Sequence, residues 1–213
     1  MRELIIAIAK GRLQAEALEL LSRAGICANG DSRKSRRLAI RDESGQYKLL
    51  FVKPNDVPVY VEHGIADCGI VGRDVLLEFE PDVLQPLTLN IGRCQIIVAA
   101  PEAATPSASG MLTIATKHSH IAAKHFRSRG QPVEIIELSG SVELAPGLGL
   151  SDCIVDLVQT GTTLRDNGLK IVEVITDSMG RLIVNRASYQ LKATSIATLI
   201  AALRQATDWG GAT

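Results

Sequence analysis

The chain reads as an α/β protein organised in two lobes. Three observations predict this. Short apolar strands alternate with amphipathic helices, the alternation runs as two series of which the second begins near Cys94, and several strands end in turns rich in Gly, Ser and Thr. In the first series Leu4 to Ala9 is a buried strand, and Leu13, Ala17, Leu18, Leu21 and Ala24 then recur at helical spacing until Gly25 stops the helix. Tyr47 to Val52 is the next strand. Asp56 and Pro58 mark a helix start, Gly64 ends that helix, Asp67 to Val71 is a third strand, and Gly72 opens a helix through about Glu80. Such a pace predicts a mainly parallel sheet, with ligands at the carboxyl ends of the strands.

The second series has strands at Gln95 to Ala100, Leu112 to Ala115, Val133 to Leu138 and Cys153 to Val158, with a helix from Ser119 to about Arg129. PEAATPSASG, residues 101–110, is a surface loop. Ile171 to Thr176 and Arg181 to Val184 are returning strands, Ala193 to Ala206 is a final amphipathic helix, and the tail from Trp209 is frayed. The final helix packs back on the first lobe. A cleft then separates the lobes.

With 213 residues and 46% hydrophobic content the chain can bury a substantial core. Lys plus Arg and Asp plus Glu both count 23, so no global basic field argues for nucleic acid, and 3% aromatic residues weaken any case for base stacking. The N-terminal apolar run is short and broken by Lys10 and Arg12, and no segment reaches membrane-spanning length. A soluble cytoplasmic protein is expected. Cys27, Cys68, Cys94 and Cys153 are scattered without a CxxC pair, as buried free thiols in a reducing compartment would be.

Ser151 to Leu164, SDCIVDLVQTGTTL, carries the most chemistry. A strand ends near Asp156 and runs into a Thr-Gly-Thr-Thr turn, where Gly161 lets the chain bend and the Thr160, Thr162 and Thr163 hydroxyls converge with backbone N–H groups on one anion. Asp156 just upstream suits ribose hydroxyls. An acid followed by such a turn fits a sugar phosphate; an ordinary strand-to-helix connection is the alternative.

Other strand ends share these features. Lys10-Gly11-Arg12 puts two cations around a flexible residue at the start of a helix, a place for a polyanion. Gly72-Arg73-Asp74 and Ser139-Gly140-Ser141 either bind phosphate or cap helices, and Glu143 adds a carboxylate for ribose, for Mg²⁺ or for a helix N-terminus. Arg33 to Arg37 is the densest positive run. His118, His120 and His125 lack the spacing of a metal site, and no activated nucleophile stands out. The only metal expected is Mg²⁺ brought by substrate phosphates.

KGRL, SRRL, KPNDVPVYVEHGIADCGIVGRDVL, ELSGSVELAP and DLVQTGTTLRDNGL, in this order, closely resemble the ATP phosphoribosyltransferases that open histidine biosynthesis. The length is similar to the short form, without the C-terminal regulatory domain. The resemblance implies a two-lobed fold of the type II periplasmic-binding-protein kind with a central cleft, residues 1–90 plus 178–213 forming one lobe and 91–177 the other. It implies ATP and 5-phosphoribosyl 1-pyrophosphate as substrates, Mg²⁺, a regulatory subunit similar to histidyl-tRNA synthetase, and a homodimer within a hetero-oligomer.

For the site it implies that Asp156, Gln159, Thr160, Gly161, Thr162, Thr163 and Glu143 bind the phosphoribosyl substrate. Lys10, Gly11, Arg12, Asp56, Gly72, Ser139 and Gly140 would contact ATP or pyrophosphate, and Lys10, Arg36 and Lys53 would act on the reacting groups. Arg33 offers a second Ser-Arg context beside Arg36. Two other readings stay open. A non-catalytic cytoplasmic sensor of the periplasmic-binding-protein type would share the two lobes, and a phosphoribosyltransferase acting on a free base would usually carry a tandem acidic pair before the turn.

Overall fold

The computed structural model describes residues 3–27, 38–102 and 111–208. Arg33, Arg36, nearly all of the expected 101–110 loop and the tail from Trp209 lie outside the described residues. In chain order the elements are β1 (Leu4–Ala9), α1 (Arg12–Arg23), β2 (Ala39–Arg41), β3 (Tyr47–Val52), α2 (Asp56–Glu62), β4 (Cys68–Gly72), α3 (Arg73–Phe79) and β5 (Leu84–Thr88). They continue with β6 (Cys94–Pro101), β7 (Leu112–Thr116), α4 (Ser119–Ser128), β8 (Val133–Glu137), α5 (Leu144–Gly147), β9 (Cys153–Val158) and α6 (Thr162–Asp166). The last are β10 (Leu169–Ser178), β11 (Gly180–Val184), α7 (Arg186–Leu191) and α8 (Ala193–Asp208). The chain forms two compact units: Met1–Leu76, Glu80–Gly92 and Met179–Thr213 in the first, Leu77–Phe79 and Arg93–Ser178 in the second.

The first unit holds a six-stranded sheet in the order β2-β3-β1-β4-β11-β5. Its central strands β1 and β4 are buried along nearly their whole length, as apolar runs covered on both faces must be. Ile196, Leu199, Leu203 and Ala206 of α8 share one core with Leu13, Ala17, Leu20 and Leu21 of α1, so the C-terminal segment belongs to this unit. Gly69 lies under α2: a Cβ there would stand 2.7 Å from Val57 Cγ1 and 3.0 Å from Val61 Cγ2. Gly69→Ala should therefore lower stability by about 1–3 kcal/mol through overpacking. Urea unfolding measures this, and an unchanged midpoint would show that α2 can lift off the sheet.

The second unit holds a five-stranded sheet in the order β10-β6-β9-β7-β8. Period-two alternation gives it two apolar faces. Ile96, Val98, Ile114, Cys153 and Val155 pack under Ile121, Ala122 and Phe126 of α4, while Ile97, Ala99, Ala115 and Ile154 pack under Val142, Ala145 and Leu164. The start of α4 is tied to the end of α3, because the Glu78 carboxylate accepts from His120 N at 2.9 Å and Ile121 N at 3.1 Å.

The expected mainly parallel sheet is corrected: both sheets are mixed. β1 pairs in parallel with β3 and β4, and β7 with β8 and β9, whereas β2–β3, β4–β11, β5–β11, β6–β9 and β6–β10 are antiparallel. Parallel neighbours need a crossover, and several connections here are too short for one. The β2–β3 turn is built on buried Asp42, which accepts from Ser44 N at 3.1 Å and Tyr47 N at 2.8 Å. Burial alone would raise this carboxyl's pKa, but the bonds from Ser44 and Tyr47 outweigh it and hold the group below its ordinary value.

Candidate functional site

β9 brings Asp156 to the carboxyl end of the second sheet, opposite Ile97 of β6 and on the same face as Ile154. The carboxylate is buried at 6% exposure, and among the described residues no hydrogen bond reaches its Oδ1. Five residues further on the chain turns through Gly161, whose φ of 73° is left-handed and favours glycine, into the five-residue helix α6. No side chain caps that helix. Instead the turn is braced from behind: Arg165 donates to Thr160 O and to Thr162 Oγ1, both at 3.3 Å, and Asn167 Nδ2 donates to Thr163 O at 2.9 Å. The Thr160 and Thr162 hydroxyls stand 3.2 Å apart and are exposed.

These residues enclose a cavity of about 150 Å³, lined by Glu143, Asp156 and the whole run from Leu157 to Leu164. Gln159, Thr160, Gly161, Thr162 and Thr163 all border it, and Glu143 reaches it from the N-terminus of α5. Ser139 and Gly140 lie in the exposed turn between β8 and α5, where Ser141 adopts a left-handed φ of 50°. Two carboxylates, exposed hydroxyls and uncapped backbone amides around one small space can accept from a polyol and donate to an anion.

Sequence reading did not find Lys117. β7 and β9 are parallel with Ala115 opposite Ile154 and Thr116 opposite Val155, so the residue that follows β7 falls beside Asp156. Lys117 Nζ stands 3.2 Å from Asp156 Oδ1, an ion contact whose angle falls short of a hydrogen bond. Buried His118 brings its Nε2 within 4.0 Å of the same oxygen. Only the strand register signals this pairing.

In the first unit the same logic gathers a cationic edge. Ala9 pairs with Val52 and Ile8 with Ile70, so Lys10 and Lys53 follow neighbouring strands, and Gly72 ends the next, at one end of the sheet. Lys10 N donates to Val52 O at 2.8 Å, and Gly11, with φ 88°, opens α1 without a side-chain cap. Arg12 is exposed, as are Lys53 and Asp56, the latter in the first turn of α2. The Gly72 turn differs. A Cβ on Gly72 would stand 2.2 Å from Asp74 Oδ1, so the turn's own carboxylate occupies the start of α3 and opposes an anion there. Sequence reading also passed over Arg181, one residue into β11 at this edge; its guanidinium is pushed down by burial and by neighbouring Arg73.

Among the described residues no group of His, Cys, Asp and Glu could hold a metal ion by itself. No disulfide joins the four cysteines. Burial, then Asp152, pushes the Cys153 thiol up to about 12, and burial with Asp67 raises Cys68 as well, so neither is an activated nucleophile. No helix among the described residues is long and apolar enough to cross a membrane.

Known proteins resemble this chain along nearly its whole length. A family model described as ATP phosphoribosyltransferase matches residues 53–205. A protein of Thermoanaerobacter sp. (strain X514) named ATP phosphoribosyltransferase is 46% identical over 208 residues, 98% of each chain. A chain of the ATP phosphoribosyl transferase (HisG:HisZ) complex from Thermotoga maritima superposes with a TM-score of 0.83 at 34% identity, covering 96% of this chain and 98% of that one. The periplasmic aliphatic sulphonate binding protein SsuA from Escherichia coli superposes with a TM-score of 0.61 at 13% identity, covering 97% and 73%, which shows a shared two-unit fold of the periplasmic-binding-protein type.

Proposed function

The chain belongs to the ATP phosphoribosyltransferase family, and from that premise we propose how its residues divide the work. The reaction condenses ATP with 5-phosphoribosyl 1-pyrophosphate, giving phosphoribosyl-ATP and pyrophosphate, the first step of histidine biosynthesis. The observation that carries the assignment of residues is the cavity shared by Asp156, Glu143 and the Thr160 to Thr163 turn. Asp156 accepts from the ribose hydroxyls, with Glu143 as second carboxylate, while Gln159, Thr160, Gly161, Thr162 and Thr163 grip the 5′-phosphate. In the first unit Lys10, Gly11 and Arg12 hold the phosphates of ATP or pyrophosphate together with Asp56, and in the second Ser139 and Gly140 contact phosphate as well; Gly72 is not among them, because the Asp74 carboxylate occupies its turn. Lys53, Lys10 and Arg36 stabilise charge on the reacting groups.

Little proton transfer is needed. Adenine N1 already carries a lone pair and forms the new bond to ribose C1, while the C1–O bond breaks and its electrons leave with pyrophosphate. Alignment and cations aimed at the leaving group therefore supply the catalysis. Glu143 and Asp156 are the oxygen donors that would meet a Mg²⁺ carried in on the substrate's phosphates. That ion, when bound, supplies positive charge to the departing pyrophosphate.

The Thermotoga maritima relative is a HisG:HisZ complex. We carry over to this chain a regulatory subunit similar to histidyl-tRNA synthetase and a homodimer within the hetero-oligomer. Four cysteines without a disulfide, three of them buried, support a cytoplasmic setting. The test is formation of phosphoribosyl-ATP from ATP, 5-phosphoribosyl 1-pyrophosphate and Mg²⁺, with and without that subunit. Product in either condition supports the assignment; none in both would return the chain to the sensor reading.

A further inference from the structure

We propose that Lys117 is a positioning residue for the phosphoribosyl substrate, holding the Asp156 carboxylate in one orientation for the ribose hydroxyls. The inference rests on reading Asp156 as the ribose clamp. Geometry carries it. Asp156 Oδ1 is buried and takes no hydrogen bond from the described residues, and its nearest cation is Lys117 Nζ at 3.2 Å. A buried carboxylate oxygen left without a partner would be costly, and an ammonium at this distance offsets that cost without occupying the acid as a network of donors would.

The placement of Lys117 is built into the sheet. Thr116, fully buried, donates from Oγ1 to Val155 O at 2.6 Å and accepts from His118 N at 2.8 Å. The backbone on both sides of Lys117 is thereby locked to the strand that carries Asp156. The Lys117 side chain remains 40% exposed, against 9% for Asp156. Its ammonium can follow the carboxylate as substrate enters, and its loss should not unfold the unit. His118 Nε2, at 4.0 Å, is too far to replace it.

The experiment is a double-mutant cycle in the full chain with its partner subunit, reading KM for each substrate and kcat. Lys117→Met should raise KM for 5-phosphoribosyl 1-pyrophosphate about ten-fold, with KM for ATP and kcat each within about two-fold. Lys117→Arg, which keeps the charge, should recover most of the loss. In an Asp156→Asn background the same Lys117→Met change should alter that KM by less than about two-fold, since its target is gone. An equal loss in both backgrounds would overturn the proposal, because Lys117 would then act on something other than Asp156. So would no loss in the native background. If Asp156→Asn alone left use of the phosphoribosyl substrate unchanged, the ribose-clamp reading itself would fall, a result distinct from either.

Discussion

Asp156→Asn is expected to lower kcat/KM for 5-phosphoribosyl 1-pyrophosphate roughly a hundred-fold while leaving the unfolding midpoint unchanged or higher. The size follows from charge-assisted hydrogen bonds to ribose hydroxyls, which together amount to about 3 kcal/mol. The stability half follows from what surrounds the carboxylate. It is buried, no described residue donates a hydrogen bond to Oδ1, and its nearest cation sits on a part-exposed side chain. A buried acid without donors costs stability, and such a cost is retained where function needs the group. Steady-state kinetics with a thermal melt tests both halves. Native kcat/KM would refute the role of Asp156, and a large drop in midpoint would make it a structural residue.

Much of the fold was legible because long periodic segments announce themselves. The strands at Leu4–Ala9, Tyr47–Val52 and Cys153–Val158 have the bounds their apolar runs predict. The elements that escaped are those too short for any period to show: β2 at 3 residues, α5 at 4, α6 at 5 and α7 at 6. β5 escaped for another reason, since Pro86 interrupts it and only an edge position tolerates that. Strand direction was not legible either, which is why a mainly parallel sheet was expected where antiparallel returns such as β11 occur. At the site, Asp156 and the Thr160 to Thr163 turn are contiguous in sequence and could be read together. Lys117 could not, because α4, β8 and α5 intervene before β9 and only the β7–β9 register brings it alongside.

Asp67 is the counterpart of Asp156 and predicts the opposite outcome. Both are buried aspartates, Asp156 inside β9 and Asp67 just before β4, but Asp67 is saturated with donors: Ile5 N at 2.9 Å, Ser188 Oγ at 2.7 Å and Lys192 Nζ at 2.7 Å. Lys192 also donates to Glu3 O at 3.0 Å, and Asn185 both caps α7 through Ser188 N and donates to Val61 O and Glu62 O. These bonds fasten the C-terminal helices to β1 and α2. Asp67→Ala would leave a largely buried ammonium, a hydroxyl and a backbone amide without their acceptor. Breaking a buried pair from one side costs about 3–5 kcal/mol, and the 22% exposure of Lys192 favours the lower figure. For a chain of this size the melting midpoint should fall by roughly 6–12 °C. Asp67→Asn, which keeps an acceptor, should lose less, and Lys192→Met added to Asp67→Ala should recover part of the loss by removing the stranded charge. A midpoint within about 2 °C of the native value in Asp67→Ala would refute the tether. Below the melting range KM for 5-phosphoribosyl 1-pyrophosphate should not move, because the Asp156 turn belongs to the second unit and rests on that unit's own core.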